Sequence, residues 1–204
     1  MSTTPRKASP IVTPEHRDWA AGVLRHGADL RVRLIDTCLD GLLQLSDRVA
    51  QAISEGGQSL WFGNGGSAAD AQHIAGELVG RFMLERRGYA AIALTTDTSV
   101  MTSIANDYGW EGVFARQVEA LGRAGDVAVG ISTSGNSPNV VRGIEAAKAG
   151  GLFTAALLGG SGGKLREMVD LAIVVPDSST PRIQECHITL GHLLCELVEK
   201  ALVP

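Results

Sequence analysis

His73 and Glu77 stand four residues apart in the run SAADAQHIAGEL at 67–78. On a helix that spacing stacks an imidazole and a carboxylate one turn apart on one face. Such a pair can ligate a metal, exchange a proton as acid and base, or bridge on a helix surface. A metal would need one or two further ligands from elsewhere in the chain, and His192 is the best donor on offer. Gln184 and His192 are eight residues apart, so on one helix they differ by roughly 12 Å along the axis and roughly 80° around it. Spacing does not choose between Gln184 and His187 as a companion.

A second chemistry lies beside the first. The segment SLWF at 59–62 reads as a short apolar strand, Gly63–Gly66 with Asn64 and Gly65 between them as a glycine-rich turn, and a helix opens at Ser67. Backbone N–H groups and a helix N-terminus then converge at the C-terminal end of a strand, which suits an anion. A second loop, STSGNS at 132–137, offers four hydroxyls (Ser132, Thr133, Ser134, Ser137) immediately before Pro138 starts a helix. Hydroxyls and N–H groups at such a place bind a phosphate without a lysine, although serine and threonine also cap helices for structural reasons alone. The pattern Gly63-x-Gly65-x-x-Ala68 admits a permissive dinucleotide fingerprint. That fingerprint wants an acidic residue about 20 positions on, at the end of the next strand. Only Asp97 is offered, more than 30 residues after Gly63, so the phosphate reading is preferred.

The elements that must position these residues follow from punctuation and period. Thr13, Pro14 and Glu15 form a helix start, and Trp19, Val23, Leu30, Leu34 and Leu42 recur at near-helical spacing, predicting a helix from Pro14 to near Asp40. A second helix is predicted over 43–55, stopped by Gly56-Gly57. The first of these is long and amphipathic, and either covers its own sheet or packs between subunits. Beyond the strand at 59–62, the His73 helix should fade near Phe82, LERRG makes a charged turn, and strands are expected at 89–94, 126–131, 153–158 and 171–175, alternating with helices. SVMTSIANDYG reads as a short helix ending at Asn106-Asp107, and a last helix from Thr180 carries Gln184, His187 and His192. Short strands alternating with helices imply parallel pairing through right-handed crossovers. The expected fold is α/β, a three-layer sandwich with a five-stranded parallel sheet flanked by helices and its sites at the strand C-termini. Residues 1–13 read as a flexible leader and 14–204 as a single domain with an N-terminal helical extension.

Composition sets the outer limits. The chain has 204 residues, 45% of them hydrophobic, enough for one full core, and its 25 glycines fit the many tight turns of an α/β protein. A net charge of -4, without a clustered basic face, argues against nucleic acid as a partner. Cys38, Cys186 and Cys195 lie in apolar helical contexts with no ligand spacing, predicting buried free thiols in a reducing compartment. No apolar run approaches the ~20 residues of a membrane span, nor does the N-terminus resemble a signal peptide, so a soluble cytoplasmic protein is expected.

Four stretches, GNGGSAADAQHIAGEL, IANDYG, ISTSGNSPN and RIQECHITLGH, together resemble the phosphoheptose isomerases, enzymes of the sugar isomerase (SIS) fold. The resemblance spans about Pro14 to the C-terminus, in order and without gaps inside the motifs. It implies conversion of sedoheptulose 7-phosphate to D-glycero-D-manno-heptose 7-phosphate, the first step towards the heptose of a surface glycan such as lipopolysaccharide. It further implies one zinc per subunit and a homotetramer with active sites between subunits. Carried over by position, it assigns His73, Glu77, Gln184 and His192 to the metal and the reacting end of the sugar. Asn64, Gly65, Gly66, Asn106 and Asp107 fall to substrate contacts, and Ser132, Thr133, Ser134 and Ser137 to the phosphate. Glu77 and His192 are then the catalytic pair. Two other readings compete: a non-catalytic SIS module acting as an adaptor for a replication initiator or as a phosphosugar sensor, and an amino-sugar phosphate isomerase. An adaptor needs no joint Glu77 and His192, and the amino-sugar enzymes commonly carry two tandem SIS units, for which this chain has no room.

Overall fold

The computed structural model describes residues 12–203, so the expected leader falls almost wholly outside the described residues. In chain order the elements are α1 (Pro14–Thr37), α2 (Leu39–Ser54), β1 (Ser59–Gly63), α3 (Gly66–Val79), β2 (Ala91–Ala93) and α4 (Thr98–Tyr108). A short 3-10 turn (Trp110–Gly112) leads into α5 (Ala115–Leu121), β3 (Val127–Ser132), α6 (Pro138–Ala149), β4 (Phe153–Gly159), α7 (Leu165–Met168), β5 (Leu171–Val175) and α8 (Thr180–Leu202).

All five strands are parallel, in the order β2-β1-β3-β4-β5, with Phe62 opposite Gly130 and Gly63 opposite Ile131 in the central pair. The chain leaves β1 in one direction to reach β2 and returns past it to begin β3. The order therefore reverses between β1 and β3, and a crevice opens at their C-terminal ends, the place where open α/β sheets bind ligands. Every residue of β1 and β3 is buried, as central strands covered on both faces must be. Side chains alternate across the sheet: Trp61 joins a core with α1, α2, α3 and α8, whereas Leu60 and Phe62 join a second core with α5 and α6. These two cores and the sheet between them are the three layers expected.

Differences from the expected boundaries have local causes. The first two helices part at Cys38 rather than beyond Asp40. The Thr37 hydroxyl bonds back to the Arg33 carbonyl, a contact that bends helices, and the buried Cys38 thiol turns to the Val174 carbonyl. The start is as expected, with Pro14 in the first turn and the Thr13 backbone N–H donating to His16 Nδ1 at 2.9 Å. Leu30, Leu34 and Leu42 are buried, but Trp19 is 71% exposed, and Leu24, Val32 and Ile35 are exposed with it. Helix α3 stops at Val79, before Phe82, because its last carbonyls are taken by Arg86. Strand β2 is shorter than the predicted 89–94. All three cysteines are free and buried. No helix among the described residues is long and apolar enough to cross a membrane.

Candidate active site

Three pieces of the site emerge from the β1–β3 edge and its flanking helices. After β1 the chain turns through Asn64 to Gly66 into α3, with Ser67 N–H donating to the Asn64 carbonyl at 3.0 Å. The Asn64 carboxamide pairs reciprocally with that of Asn139, each NH2 donating to the other's oxygen at 2.8 Å. Asn139 lies in the first turn of α6 and also accepts the Val140 N–H at 3.0 Å. The glycine turn and the hydroxyl loop after β3 are thereby fixed to one another.

That second loop is built around its own hydroxyls. Ser132 Oγ lies 3.1 Å from Ser137 Oγ and 3.5 Å from Ser134 Oγ, and it accepts the Gly135 N–H at 3.1 Å. Gly135 has φ +65, and a side chain there would collide with the Gly162 carbonyl, so only glycine lets the loop fold down onto the segment after β4. Leu165 N–H then bonds the Gly135 carbonyl and Lys164 N–H the Asn136 side chain, at 3.1 and 3.0 Å. Ser134 remains exposed, Thr133 and Ser137 half-buried, at the mouth of α6.

The third piece comes from two helices far apart in sequence. Gly191 admits Ile74 so closely that a methyl group at 191 would overlap it, and α8 therefore runs against α3. His192 Nε2 meets His73 Nε2 at 2.8 Å, one ring donating to the other, and Glu77 Oε1 lies 3.3 Å from His73 Nε2. These three ligand atoms all fall within 4.8 Å of one another, a group that could hold a metal ion. Two imidazole nitrogens and a carboxylate oxygen converging on one point are the donor set of an open metal site with a position left for substrate. The Phe82 ring stacks on His192, centroids 5.6 Å apart.

The remaining predicted residues fall in different places. Gln184 lies with its carboxamide against the Gly66 backbone, at the entrance to α3. His187, which spacing alone had left as an equal choice, is in the core: its Nε2 donates to the Leu158 carbonyl at 2.9 Å, and Nδ1 has no partner. Burial drives its imidazole down to about 4, against an upward pull from that carbonyl, so it is a neutral packing residue. Asn106 and Asp107 are exposed at the end of α4, where Asn106 donates to Asp107 at 2.8 Å. Neither hydrogen-bonds to the metal group or to the hydroxyl loop.

Three residues escaped the sequence reading. Asn139 had a visible signal, being the asparagine that closes ISTSGNSPN. Asp70, one turn before His73, has one buried carboxyl oxygen without a partner; burial pushes the group up to about 6 while His73 pulls it back. Glu199, near the end of α8, reads as a surface acid but is fully buried, bonded to Arg86 at 2.9 Å.

A family model described as "SIS domain" matches residues 24–159, two thirds of the chain. A phosphoheptose isomerase from Roseiflexus is 52% identical over 184 residues, 90% of this chain and 93% of that one. One from Aquifex aeolicus is 53% identical over 178 residues, 87% of this chain and 93% of its own length. The chain belongs to the phosphoheptose isomerase family. A phosphoheptose isomerase structure from Neisseria gonorrhoeae superposes with a TM-score of 0.86 at 42% identity, covering 90% of this chain and 98% of that one. The likeness therefore extends over nearly the whole chain in both sequence and fold.

Proposed function

We propose that this isomerase interconverts D-sedoheptulose 7-phosphate and D-glycero-D-manno-heptose 7-phosphate in the cytoplasm, through an enediol. The observation that carries the reading is the His73, Glu77 and His192 group, two conformable bases beside a carboxylate, on the molecule that also carries the hydroxyl loop. Moving a proton between C1 and C2 of an open-chain sugar needs a base at carbon and a proton carrier at oxygen. Glu77, with Oε1 towards His73, takes the proton from one carbon on Oε2 and returns it to the next. His192, stacked under Phe82, carries the second proton between the two sugar oxygens. Ser132, Thr133, Ser134 and Ser137, with the first turn of α6, hold the phosphate. That remote grip positions the carbons and contributes to rate as well as to affinity. Asn64, Gly65, Gly66 and Gln184 line the turn between these ends and contact the sugar. Asn106 and Asp107 complete the contacts from the exposed end of α4.

The donor set fits zinc, one ion per subunit, with Gln184 as the further ligand drawn from the family resemblance. When bound, the ion supplies Lewis-acid polarisation of the sugar carbonyl. We read the assembly as a homotetramer with sites between subunits, a reading supported by the apolar residues that α1 leaves exposed. A non-catalytic adaptor would have no use for Glu77 and His192 placed together.

The test is turnover of sedoheptulose 7-phosphate by the purified protein, with Glu77→Gln alongside. The parent is expected to turn over and the variant to lose at least about a thousandfold, since removing a base at carbon deletes one whole proton-transfer path. A folded, metal-loaded parent without turnover would sink the reading.

A further inference from the structure

Away from the reacting groups, one ion pair among the described residues is fully buried, and its bonds tie the end of α3 and the loop after it to α8. Glu199, in the last turns of α8, is 0% exposed, and Arg86, in the loop after α3, has a side chain 3% exposed. Glu199 accepts four hydrogen bonds: from Phe82, Met83 and Leu84 backbone N–H at 2.8, 2.8 and 2.9 Å, and from Arg86 Nε at 2.9 Å. Arg86 in turn donates to the carbonyls of Glu77 and Leu78 at 2.9 Å each, of Arg87 at 3.0 Å and of Gly80 at 3.3 Å. Its guanidinium also lies over the Tyr89 ring, 3.9 Å from the centroid. The carbonyls at the end of α3, which have no partner within a helix, are thus capped by one planar fork.

A buried pair of this kind gives little net stability, because desolvating both charges offsets their attraction. What it does give is geometry. The carbonyl it holds on α3 belongs to Glu77 itself. The N–H it holds in the loop belongs to Phe82, whose ring stacks on His192. The carboxylate stands seven residues beyond His192 on α8, two turns along the same face. Three elements that must agree to within a fraction of an ångström at the metal group are therefore locked to one another at a point outside it.

We propose that Arg86 and Glu199 are positioning residues for the His73, Glu77 and His192 group, setting the approach of α8 to α3 and holding the Phe82 ring against His192. The proposal rests on the reading of Glu77 and His192 as the reacting pair.

The experiment compares the parent with Glu199→Gln, Phe82→Leu and Phe82→Tyr. Phe82→Leu leaves the ion pair intact and removes only the ring that transmits its position. Zinc affinity and the visible spectrum of the cobalt-substituted protein are measured beside kcat, KM and the melting temperature. For Phe82→Leu, zinc affinity is expected to fall about tenfold and kcat roughly tenfold, with KM within about twofold and the melting temperature near the parent's, the pattern of a lost supporting contact. Phe82→Tyr, which restores a ring, should return both to near parental values. Glu199→Gln should change the cobalt spectrum in the same sense as Phe82→Leu and more strongly. Parental zinc affinity, spectrum and kcat in Phe82→Leu would overturn the proposal, whether or not Glu199→Gln folds. A folded Glu199→Gln with a parental cobalt spectrum would overturn it also. If the parent itself fails to turn over the heptose phosphate, the proposed function fails instead, and the zinc and cobalt measurements still decide the role of the pair.

Discussion

A single serine hydroxyl in the loop at 132–137 has two neighbours competing for it, the loop's own oxygens and an incoming phosphate. Ser132 is committed inward, donating or accepting among Ser134, Ser137 and the Gly135 N–H. Ser134 is exposed and Ser137 half-buried at the helix mouth, so in the proposed phosphate grip these are the two serines of the loop most open to the ligand. Ser134→Ala and Ser137→Ala should each raise KM about tenfold, the worth of one hydrogen bond to a charged group, measured by initial rates over a range of sugar phosphate. Ser132→Ala should instead lower the melting temperature, because it removes the acceptor for a buried N–H. At the metal group, dialysis against a chelator should abolish turnover and zinc should restore it at one equivalent per subunit, followed by elemental analysis. This scale was the most legible in the sequence. The glycine turn and hydroxyl loop are contiguous motifs whose residue types state their chemistry. By contrast, the choice of Gln184 over His187 came from resemblance, since helical spacing gives each the same claim until burial of His187 decides against it.

Helices α3 and α8 are the elements that bring chemistry together, and their meeting was not legible in the sequence. His73 and His192 are 119 residues apart, and what joins them is a glycine at 191 opposite Ile74, a contact with no local signature. Strands and helix order were legible because hydrophobic runs and Gly or Pro punctuation are local. The end of α3 was misplaced because it is set by Arg86 and Glu199, and Glu199 in the stretch LVEK has the sequence context of an exposed helix end. Helix α8 also makes stability depend on pH. His187 is held neutral, its folded value lowered from 6.5 to about 4, so the unfolded chain takes up the proton first. Stability should accordingly fall as pH drops from about 6.5 towards about 4. His187→Gln, which retains a donor for Leu158 without a titrating group, should flatten that part of the curve in denaturant titrations. Glu199 adds a second limb. Although burial pushes its carboxyl up, the three backbone N–H groups and Arg86 hold it below the ordinary 4.5, so its contribution is present above that value and lost on further acidification.

For the whole molecule, the reversal of strand order between β1 and β3 explains why two loops distant in sequence open side by side at the C-terminal ends of these strands. Helix α1 buries only Gly27, Leu30 and Leu34 and leaves Trp19, Leu24, Val32 and Ile35 exposed. If the proposed tetramer packs through α1, replacing two of these by charge, Trp19→Arg with Ile35→Asp, should give smaller species by light scattering and lower activity in parallel, because the proposed sites lie between subunits. The paired carboxamides of Asn64 and Asn139 bear on how long such an assembly stays functional. Asn64 precedes Gly65, the sequence context in which a free asparagine cyclises and hydrolyses to aspartate or isoaspartate with age. While its carboxamide is held by Asn139, that cyclisation is restrained, so folding protects the site chemically as well as shaping it. Each episode of unfolding exposes this bond, and a carboxylate formed at 64 would return to face Asn139 and an incoming anionic sugar. Repeated heating should therefore leave a population that refolds yet no longer binds substrate, traceable by peptide mapping to aspartate or isoaspartate at Asn64.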